Sequence, residues 1–395
     1  MTFDAVIVGG GVQGTAIAHC LSTKGLKTAL LEKGGIACGT SGRCDGNILV
    51  ADKMPGYDST LNKMSLDLFP GLSDEIGYDI HWTQMGSLTV TESEEELALA
   101  ALFCRQLQEA GIPARMLDKK EIHDDEPHLA DHVPGGFEVT CDGSLNPLRL
   151  AHGLAHSFCR NKGKLLINTS LERIELDEHG AIQAVHCDIG RITCKYLICA
   201  AGVWSPQIGA MLNMDIPVRP RQGQILVSER SFYIARRKLT EFGYLAAKFE
   251  QANYKRNVSA EMEEFGVATV FEPTHENNFL IGSSRRFAGL STTSDHRVLR
   301  AIAQRAIQFL PIIKHVRVIR SYAGLRPYTP DHKPIISETD VPGFYVATGH
   351  EGDGIGLSMI TGRLISQMIC DEEMQIDVSP LRLNRFKGKS NPWDH

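Results

Sequence analysis

Several features that mark other classes of protein are missing from this sequence of 395 residues. The ten cysteines are scattered and include no Cys-x-x-Cys pair, so we expect no metal site and no iron–sulfur cluster in this chain. Lysines and arginines form no long cluster and the net charge is -6, which argues against a nucleic-acid partner. No apolar run is long enough to cross a bilayer, and no leader pattern precedes the first predicted strand. The sequence therefore predicts a cytoplasmic protein without a transmembrane segment.

The composition is that of an ordinary globular protein. Hydrophobic residues make up 43% of the chain, which is enough for substantial cores, and the length allows two domains. The sequence contains no internal repeat and no low-complexity linker. The domains are therefore expected to be interleaved along the chain.

The first 32 residues contain the strongest local pattern. The apolar run 5–8 predicts a buried strand, and Gly9, Gly11 and Gly14 follow it and open a helix. Such glycines allow a tight turn, a close approach to a pyrophosphate and close packing of helix against sheet. A second strand then ends at Glu32, whose carboxylate is placed to meet ribose hydroxyls. The whole unit predicts a dinucleotide pocket, whereas the glycines alone would also be compatible with a plain tight loop.

The rest of the chain predicts two kinds of structure. Helices are predicted at 94–110, where Ser93 is the N-cap, and at 148–162 and 295–309. The run 196–202 predicts a buried parallel strand, and 344–348 predicts another. Short extended runs at 224–228, 244–247, 266–271 and 279–283 predict an antiparallel sheet.

Four further segments carry a family resemblance. They are 39–43 (Gly-Thr-Ser-Gly-Arg), 200–205 (Ala-Ala-Gly-Val-Trp-Ser), 323–331 (Ala-Gly-Leu-Arg-Pro-Tyr-Thr-Pro-Asp) and 347–350 ahead of 361–364. With the opening unit, these segments resemble the D-amino-acid oxidase superfamily of flavoproteins, in the family's order from residue 2 to about residue 369. Glycine oxidase, sarcosine oxidase and the catalytic subunits of dye-linked proline, hydroxyproline and opine dehydrogenases are the most similar members.

The resemblance implies an α/β fold with interleaved domains. A Rossmann-like FAD-binding domain would comprise residues 1–50, 142–216 and 318–395. A substrate-binding domain of α+β type, built on an antiparallel sheet, would comprise residues 51–141 and 217–317.

The resemblance also implies which residues hold FAD. Gly9, Gly11, Gly14 and Glu32 match the adenosine and pyrophosphate site. The remaining residues expected at the cofactor are Val12, Gln13, Lys33, Thr40, Ser41, Arg43, Gly46, Ala201, Gly202, Trp204, Arg326, Gly349, Glu351, Gly352, Asp353, Gly354 and Ile355.

The position of the glycine-rich segment 349–354 indicates a role in cofactor binding independently of the family resemblance. It follows a predicted strand and precedes a helix, so its free N–H groups and the helix dipole could favour an anionic reduced flavin. The alternative is a helix cap without a ligand. Glu351 and Asp353 depart from simple glycine oxidases, because acids beside an anionic flavin would repel it unless a cation offsets them. Together with Arg285, they indicate a substrate with extra charge, such as an opine, unless both acids face solvent.

Four residues are predicted to act on the substrate. Arg326 matches the family's arginine that binds the substrate carboxylate, which a planar guanidinium contacts with two parallel hydrogen bonds. Tyr244 matches a strand tyrosine of the glycine oxidase pocket, and Arg285 stands where the family often has an apolar side chain. His350 is the fourth candidate. The alternatives are a surface ion pair for Arg326, core packing for Tyr244 and a solvated side chain for Arg285.

These residues together predict oxidation of a C–N bond beside a carboxylate in an amino acid or N-substituted amino acid. The electrons would pass either to oxygen or to a partner subunit carrying an iron–sulfur cluster, through which the protein could be peripheral to the inner membrane. Two alternatives remain open from the sequence. One is a non-catalytic flavoprotein subunit of a multi-subunit dehydrogenase, and the other is an NAD-dependent dehydrogenase.

Overall fold

The computed structural model describes residues 1–249, 254, 256–388 and 393. The fold is α/β and has two eight-stranded mixed sheets with helices packed against them.

The elements follow one another in three stretches of the chain. The first stretch contains β1 (Thr2–Val8), α1 (Val12–Thr23), β2 (Thr28–Leu31), β3 (Asn47–Ile48), α2 (Tyr57–Leu66), α3 (Leu72–Ile76), β4 (Ser87–Val90), α4 (Glu94–Glu109), β5 (Ala114–Asp118), α5 (Lys119–Asp125), β6 (Gly135–Val139) and β7 (Gly143–Ser144). The second contains α6 (Pro147–Arg160), β8 (Lys164–Leu166), β9 (Leu171–Leu176), β10 (Ile182–Cys187), β11 (Gly190–Cys199), α7 (Ser205–Ala210), β12 (Arg219–Ser228), β13 (Lys238–Glu241), α8 (Phe242–Phe249) and α9 (Ala260–Glu264). The third contains β14 (Val270–Pro273), β15 (Phe279–Gly282), α10 (His296–Phe309), β16 (Val318–Tyr328), β17 (Ile335–Glu338), β18 (Phe344–Thr348) and α11 (Ser358–Cys370).

The first sheet has the order β17-β18-β11-β1-β2-β8, and β10 and β9 extend it from β11. β1 pairs in parallel with both β11 and β2, and β11 pairs in parallel with β18. Residues 5–8 of β1 are all buried, because the sheet is covered on both faces and α1 packs with α6 and α11 on one of them. The carboxyl ends of β1, β2 and β11 therefore meet at one edge, where a ligand of such a sheet binds.

The second sheet has the order β16-β12-β15-β14-β13-β4-β6-β5 and is antiparallel except for the β13–β4 pair. Its longest ladder joins β12 to β16, and in this ladder Arg221 lies directly opposite Arg326. Strands of the first sheet come from residues 2–31, 164–199 and 335–348, and those of the second come from 87–139, 219–282 and 318–328. The exact domain limits given above stay a prediction.

Most predicted elements have their expected type, but two predicted strands differ. The run 244–247 was expected to be a strand and belongs instead to α8 (Phe242–Phe249). Phe242 and Leu245 are both buried in one core cluster, and their three-residue spacing suits a helix. The run 266–271 begins with a turn, because Gly266 has a φ of 56°, and the strand β14 starts only at Val270.

The helix ends agree with the sequence signals. The Ser93 hydroxyl accepts a hydrogen bond from the Glu96 N–H at the start of α4, and the Asp295 carboxylate caps α10 in the same way. Within the described part of the chain, none of the helices has the length and apolarity that a membrane span requires.

Candidate active site

The turn between β1 and α1 is built for a close approach to the backbone. Gly9 has a φ of 116°, and a Cβ atom there would lie 2.4 Å from the Ala200 carbonyl oxygen. A Cβ atom on Gly14 would lie 1.8 Å from the Gly9 carbonyl oxygen, so α1 packs directly against the turn. Gly11 supplies no side chain to cap α1, and the Ser41 hydroxyl accepts the Val12 N–H at 3.0 Å. The N-terminus of α1 therefore lies beside a short, narrow turn, with one of its N–H groups bound to Ser41 and no capping side chain at Gly11.

Glu32 lies at the end of β2, next to this turn. It is buried, and its carboxylate accepts the N–H groups of Gly10 at 2.6 Å and Gly34 at 2.7 Å. The exposed neighbour Lys33 places its ammonium 3.9 Å from the ring centre of Trp204, which follows β11. These contacts bring the β2 and β11 ends to the same edge as the glycine turn.

Side chains from distant segments complete the cradle. Gln13 Nε2 donates to the Gly354 carbonyl at 2.6 Å, and the Thr40 hydroxyl donates to the Leu325 carbonyl at 2.6 Å. The Gln13 Oε1 atom is buried and has no hydrogen-bond partner among the described residues. The cradle therefore joins residues from both ends of the chain, and it contains a polar atom that a ligand could satisfy.

The other predicted cofactor residues lie around this cradle. Gly202 accepts a hydrogen bond from the Thr348 hydroxyl at 3.0 Å, just before Gly349. Ala201 packs against the core of the first sheet, and Ile355 is buried in the core below the loop. The side chain of Arg43 is exposed.

Gly46 lies toward the second sheet. A Cβ atom on Gly46 would lie 1.8 Å from the Leu145 carbonyl, and the Gly46 N–H contacts the Glu272 carboxylate. The Gly46 carbonyl accepts the Leu145 N–H at 2.9 Å, so both polar backbone groups of this predicted cofactor residue have partners within the protein.

The side chain of His350 lies away from the cavity beside Arg326. It is buried, and its Nε2 is 2.9 Å from the Thr361 hydroxyl in α11. Burial lowers the pKa of His350 to about 3, so the imidazole is neutral. These contacts indicate that His350 anchors the loop to α11, and they do not favour the catalytic role predicted for it.

The two acids of the 349–354 loop are both paired with cations of the protein, and Asp353 is partly buried. Glu351 forms an ion pair with Arg221, and Glu351 is itself buried. Asp353 is contacted by the Lys53 ammonium at 2.6 Å, and Lys53 also pairs with Asp52. The nearby carboxylates raise the pKa of Lys53. The charge on this loop is therefore offset by the protein's own cations.

Arg326 lies on β16 and faces the cavity between the two sheets. Its Nη1 donates to the Ser284 carbonyl at 2.8 Å, and the desolvation of the guanidinium and the charge of Arg285 lower its pKa. The guanidinium of Arg285 lies over the ring of Tyr244, 4.0 Å from its centre. The cavity itself is lined by Asp45, Asn47, Leu49, Asp52, Lys53, Asn62, Lys238, Tyr244, Val270, Ser283, Arg326, Gly352, Asp353 and Gly356. The structure thus brings Arg326, Tyr244 and Arg285 together, although Tyr244 reaches the cavity from helix α8.

Several residues of the site were not predicted from the sequence. The register of β12 against β16 places Arg221 at the site, and the ion pair with Asp353 places Lys53 there. Glu272 on β14 is buried and accepts the Asn47 amide at 2.7 Å and the Gly46 N–H at 3.1 Å. Burial raises the pKa of Glu272 to about 8, and the charge of Asp45 adds to this effect.

We expect Glu272 to make the stability of the protein depend on pH. Its folded-state pKa lies above the ordinary value of 4.5, so the stability that protonation provides is present below pH 4.5 and is lost as pH rises through 8. Between pH 6 and 8.5, the Tm of the wild type should fall by about 2–4 °C more than that of Glu272→Gln. Thermal unfolding at the two pH values measures this difference. Parallel decreases in the two proteins would show that Glu272 ionises near its ordinary pKa.

The geometry of the cradle fits a dinucleotide. The N-terminus of α1, which has no capping side chain at Gly11, is placed to bind a pyrophosphate. Glu32 lies at the end of β2, where a ribose would bind, and the buried Gln13 Oε1 has no hydrogen-bond donor among the described residues. The cavity beside Arg326 is lined by Gly352 and Asp353, and the carbonyl of the next residue, Gly354, accepts the Gln13 amide of the cradle. A second compound with a carboxylate could therefore bind next to the reactive end of the dinucleotide.

Comparison with known proteins agrees with this geometry. Residues 4–368 match the family model described as FAD dependent oxidoreductase. Hydrogen cyanide synthase subunit HcnC from Pseudomonas protegens is 27% identical, and the match covers 97% of this chain and 96% of that protein. An opine oxidase subunit from Rhizobium meliloti is 26% identical over 98% of each chain.

Glycine oxidase from Geobacillus kaustophilus is similar in both sequence and structure. Its sequence is 27% identical over 98% of each chain. Its crystal structure superposes with a TM-score of 0.87 and 25% identity, covering 98% of this chain and 100% of that one.

The family match decides the cofactor. FAD is the cofactor of this family, so the alternative of an NAD-dependent dehydrogenase is wrong. Since the family model spans nearly the whole sequence, the chain belongs to the D-amino-acid oxidase (DAO) family of FAD-dependent oxidoreductases.

Proposed function

We propose that this enzyme oxidises the C–N bond of an amino acid or N-substituted amino acid at the carbon that bears the carboxylate. The observation that carries the proposal is Arg326, a partly buried guanidinium that faces the cavity and is held by the Ser284 carbonyl. A guanidinium in such a position binds a carboxylate with two charge-assisted hydrogen bonds. Relatives named for glycine oxidase and opine oxidase support a substrate of this class.

We assign FAD to the cradle beside α1. The glycine turn and the N-terminus of α1 would hold the pyrophosphate, and Glu32 would hold the adenosine ribose. The residues predicted at 40–46, 201–204 and 349–355 would surround the rest of the cofactor. FAD, when bound, supplies an acceptor for two electrons beside the cavity.

The chain's own contribution to the reaction is orientation. Arg326 would fix the carboxylate, so that the Cα–H bond points toward the cofactor, and such positioning removes much of the barrier. The substrate nitrogen must be neutral, because its lone pair replaces the electrons that leave with the hydride. The resulting imine then takes up water and releases a 2-oxo acid and an amine. No acid–base triad is needed for these steps, and the neutral His350 has no part in them.

The loop 349–354 would tune the electrostatics of the cavity. Glu351 and Asp353 bring two negative charges, but Arg221 and Lys53 neutralise them. The N–H groups and the helix dipole can then favour negative charge on the reduced cofactor without opposition from these acids.

The electrons taken from the substrate would pass to one of two acceptors. In an oxidase they pass to oxygen and give peroxide, and in a dehydrogenase they pass to a partner subunit. Two relatives are named as subunits, one of a hydrogen cyanide synthase and one of an opine oxidase, which supports a complex. We propose a partner that carries an iron–sulfur cluster. Peroxide release at the rate of substrate oxidation would instead identify oxygen as the acceptor.

We also propose a cytoplasmic location, with any contact at the inner membrane made through such a partner. All ten cysteines are free, which supports a reducing compartment.

An anaerobic screen of the purified flavoprotein tests the proposed function. Glycine, L- and D-amino acids, N-methyl amino acids, proline derivatives and opines are mixed with the protein, and bleaching of the flavin absorbance is followed. Bleaching by a carboxylated amine, and not by the corresponding amine without a carboxylate, is the expected result. A protein that stays yellow with every compound would be a non-catalytic flavoprotein subunit, and the proposed function would be wrong.

A further inference from the structure

Arg326 lines the cavity, and two more arginines lie next to residues that line it: Arg221 is opposite Arg326, and Arg285 lies over the ring of Tyr244. Arg221 and Arg326 lie directly opposite each other in the β12–β16 ladder. Like charges in such a pair destabilise a sheet, so their presence needs a compensating anion. Glu351 compensates Arg221. Among the described residues, no carboxylate forms an ion pair with Arg326 or Arg285, and Arg326 has the Ser284 carbonyl as a partner.

Arg285 has an unused donor inside the protein. Its Nη1 atom is shielded from solvent and has no hydrogen-bond partner among the described residues. The ring of Tyr244 contacts the face of the guanidinium at 4.0 Å, whereas the N–H groups point outward in its plane. A buried charged donor without an acceptor costs free energy, which an incoming anion would recover.

Arg326 on β16 and Arg285 after β15 are linked through one short segment. Arg326 donates to the Ser284 carbonyl, and Ser284 directly precedes Arg285. They are close enough for the charge of Arg285 to lower the pKa of Arg326. Two adjacent cations of this kind suit two anionic groups of one small molecule better than one group alone.

We propose that the substrate is an amino acid with a second carboxylate, which Arg285 binds while Arg326 binds the carboxylate beside the reacting carbon. This inference rests on the proposed function and names its substrate class. The second carboxylate belongs either to a substituent on the nitrogen, as in iminodiacetate, or to the side chain, as in aspartate and glutamate.

The reaction of the iminodiacetate type balances without a further co-reactant. A hydride with two electrons leaves the carbon for the bound FAD, and the nitrogen lone pair forms the C=N bond. Water adds to that bond, the C–N bond breaks, and glyoxylate and glycine are released. For aspartate or glutamate, the products are the 2-oxo diacid and ammonia.

Matched substrate pairs test the inference. Anaerobic stopped-flow reduction gives kred/Kd for iminodiacetate against N-methylglycine, and for D- and L-aspartate against D- and L-alanine. We expect at least one dicarboxylate to exceed its monocarboxylate partner by about 30-fold or more in the wild type. Arg285→Gln should reduce this preference by about 30- to 100-fold, and Arg285→Lys should restore part of it. Arg286→Gln is the matched control, because Arg286 already pairs with Asp295 at 3.0 Å.

The outcomes separate this inference from the proposed function. If Arg285→Gln lowers kred/Kd equally for both members of a pair, Arg285 shares the first carboxylate and the inference is wrong, while the proposed function stands. If the wild type is reduced by neither class, both fail together.

A second measurement does not depend on folding of the variant. Succinate and glutarate should perturb the flavin spectrum of the wild type at concentrations at least tenfold lower than propionate. Equal concentrations for the mono- and dicarboxylates would overturn the inference.

Discussion

Replacing Arg326 by glutamine is expected to lower kcat/KM for amino-acid oxidation by about 10²- to 10³-fold while FAD stays bound. The side chain faces the cavity, and its contact with the Ser284 carbonyl fixes the direction of the guanidinium. Loss of the carboxylate partner removes both binding energy and orientation, so KM should rise and kcat should fall. Steady-state kinetics with the best substrate of the anaerobic screen measure the loss, and the flavin absorbance gives the FAD content.

Two further variants serve as controls. Arg326→Lys keeps the charge but loses the planar fork, so its kcat/KM should lie between those of the wild type and Arg326→Gln. Arg300→Gln removes an exposed arginine on α10 and should leave the kinetics unchanged. Wild-type kinetics in Arg326→Gln would exclude this residue from substrate binding.

Replacing Arg221 by methionine is expected to reduce the free energy of unfolding by about 3–5 kcal/mol. Arg221 is buried and pairs with Glu351, which is also buried, so its removal leaves an uncompensated carboxylate in the protein interior. The double variant Arg221→Met with Glu351→Gln should recover most of this loss, because neither charge remains. Urea unfolding of the three holoenzymes at pH 7.5 measures the differences.

The pH dependence distinguishes this explanation from a simple packing defect. Without Arg221, burial should raise the pKa of Glu351 above its ordinary value. The folded state of Arg221→Met then binds more protons than its unfolded state. The loss of stability caused by this substitution should therefore become smaller as pH falls toward 5. A deficit that is the same at pH 5 and pH 8, and that the double variant shares, would show that Arg221 acts through packing alone.

Local patterns in the sequence were sufficient for much of the fold. The strand–turn–helix–strand unit from β1 to β2 depends on neighbouring residues, since the apolar run, the glycine spacing and the terminal acid are all local. The predicted cap Ser93 is local as well, and α4 begins directly after it. The family resemblance added the order of the segments and the cofactor, and the family match confirms the cofactor.

The parts that were missed depend on contacts between distant residues. Residues 244–247 have a composition compatible with a strand, but burial of Phe242 and Leu245 against another part of the chain makes them helical. Glu272 and Asp142 resemble surface acids in the sequence. Asp142 is in fact buried and accepts the N–H groups of residues 50 and 51, and its pKa is raised to about 6 by burial.

The individual roles of the site residues could not follow from local patterns either. Arg221 faces Arg326 only because β12 and β16 pair in one register. His350 was a reasonable catalytic candidate by residue type, yet its partner Thr361 lies on the following helix. Side-chain direction in such cases is decided by tertiary packing.

The contact between Gln13 and Gly354 joins residues that are 341 positions apart. During translation at 5–20 residues per second, the ribosome makes the second residue roughly 20–70 s after the first. The nascent polypeptide therefore carries half of a cofactor cradle for most of its synthesis. Binding of the flavin cofactor is consequently a late event. A prematurely terminated polypeptide that lacks the last 45 residues would be released from the ribosome without bound flavin, and it would be colourless.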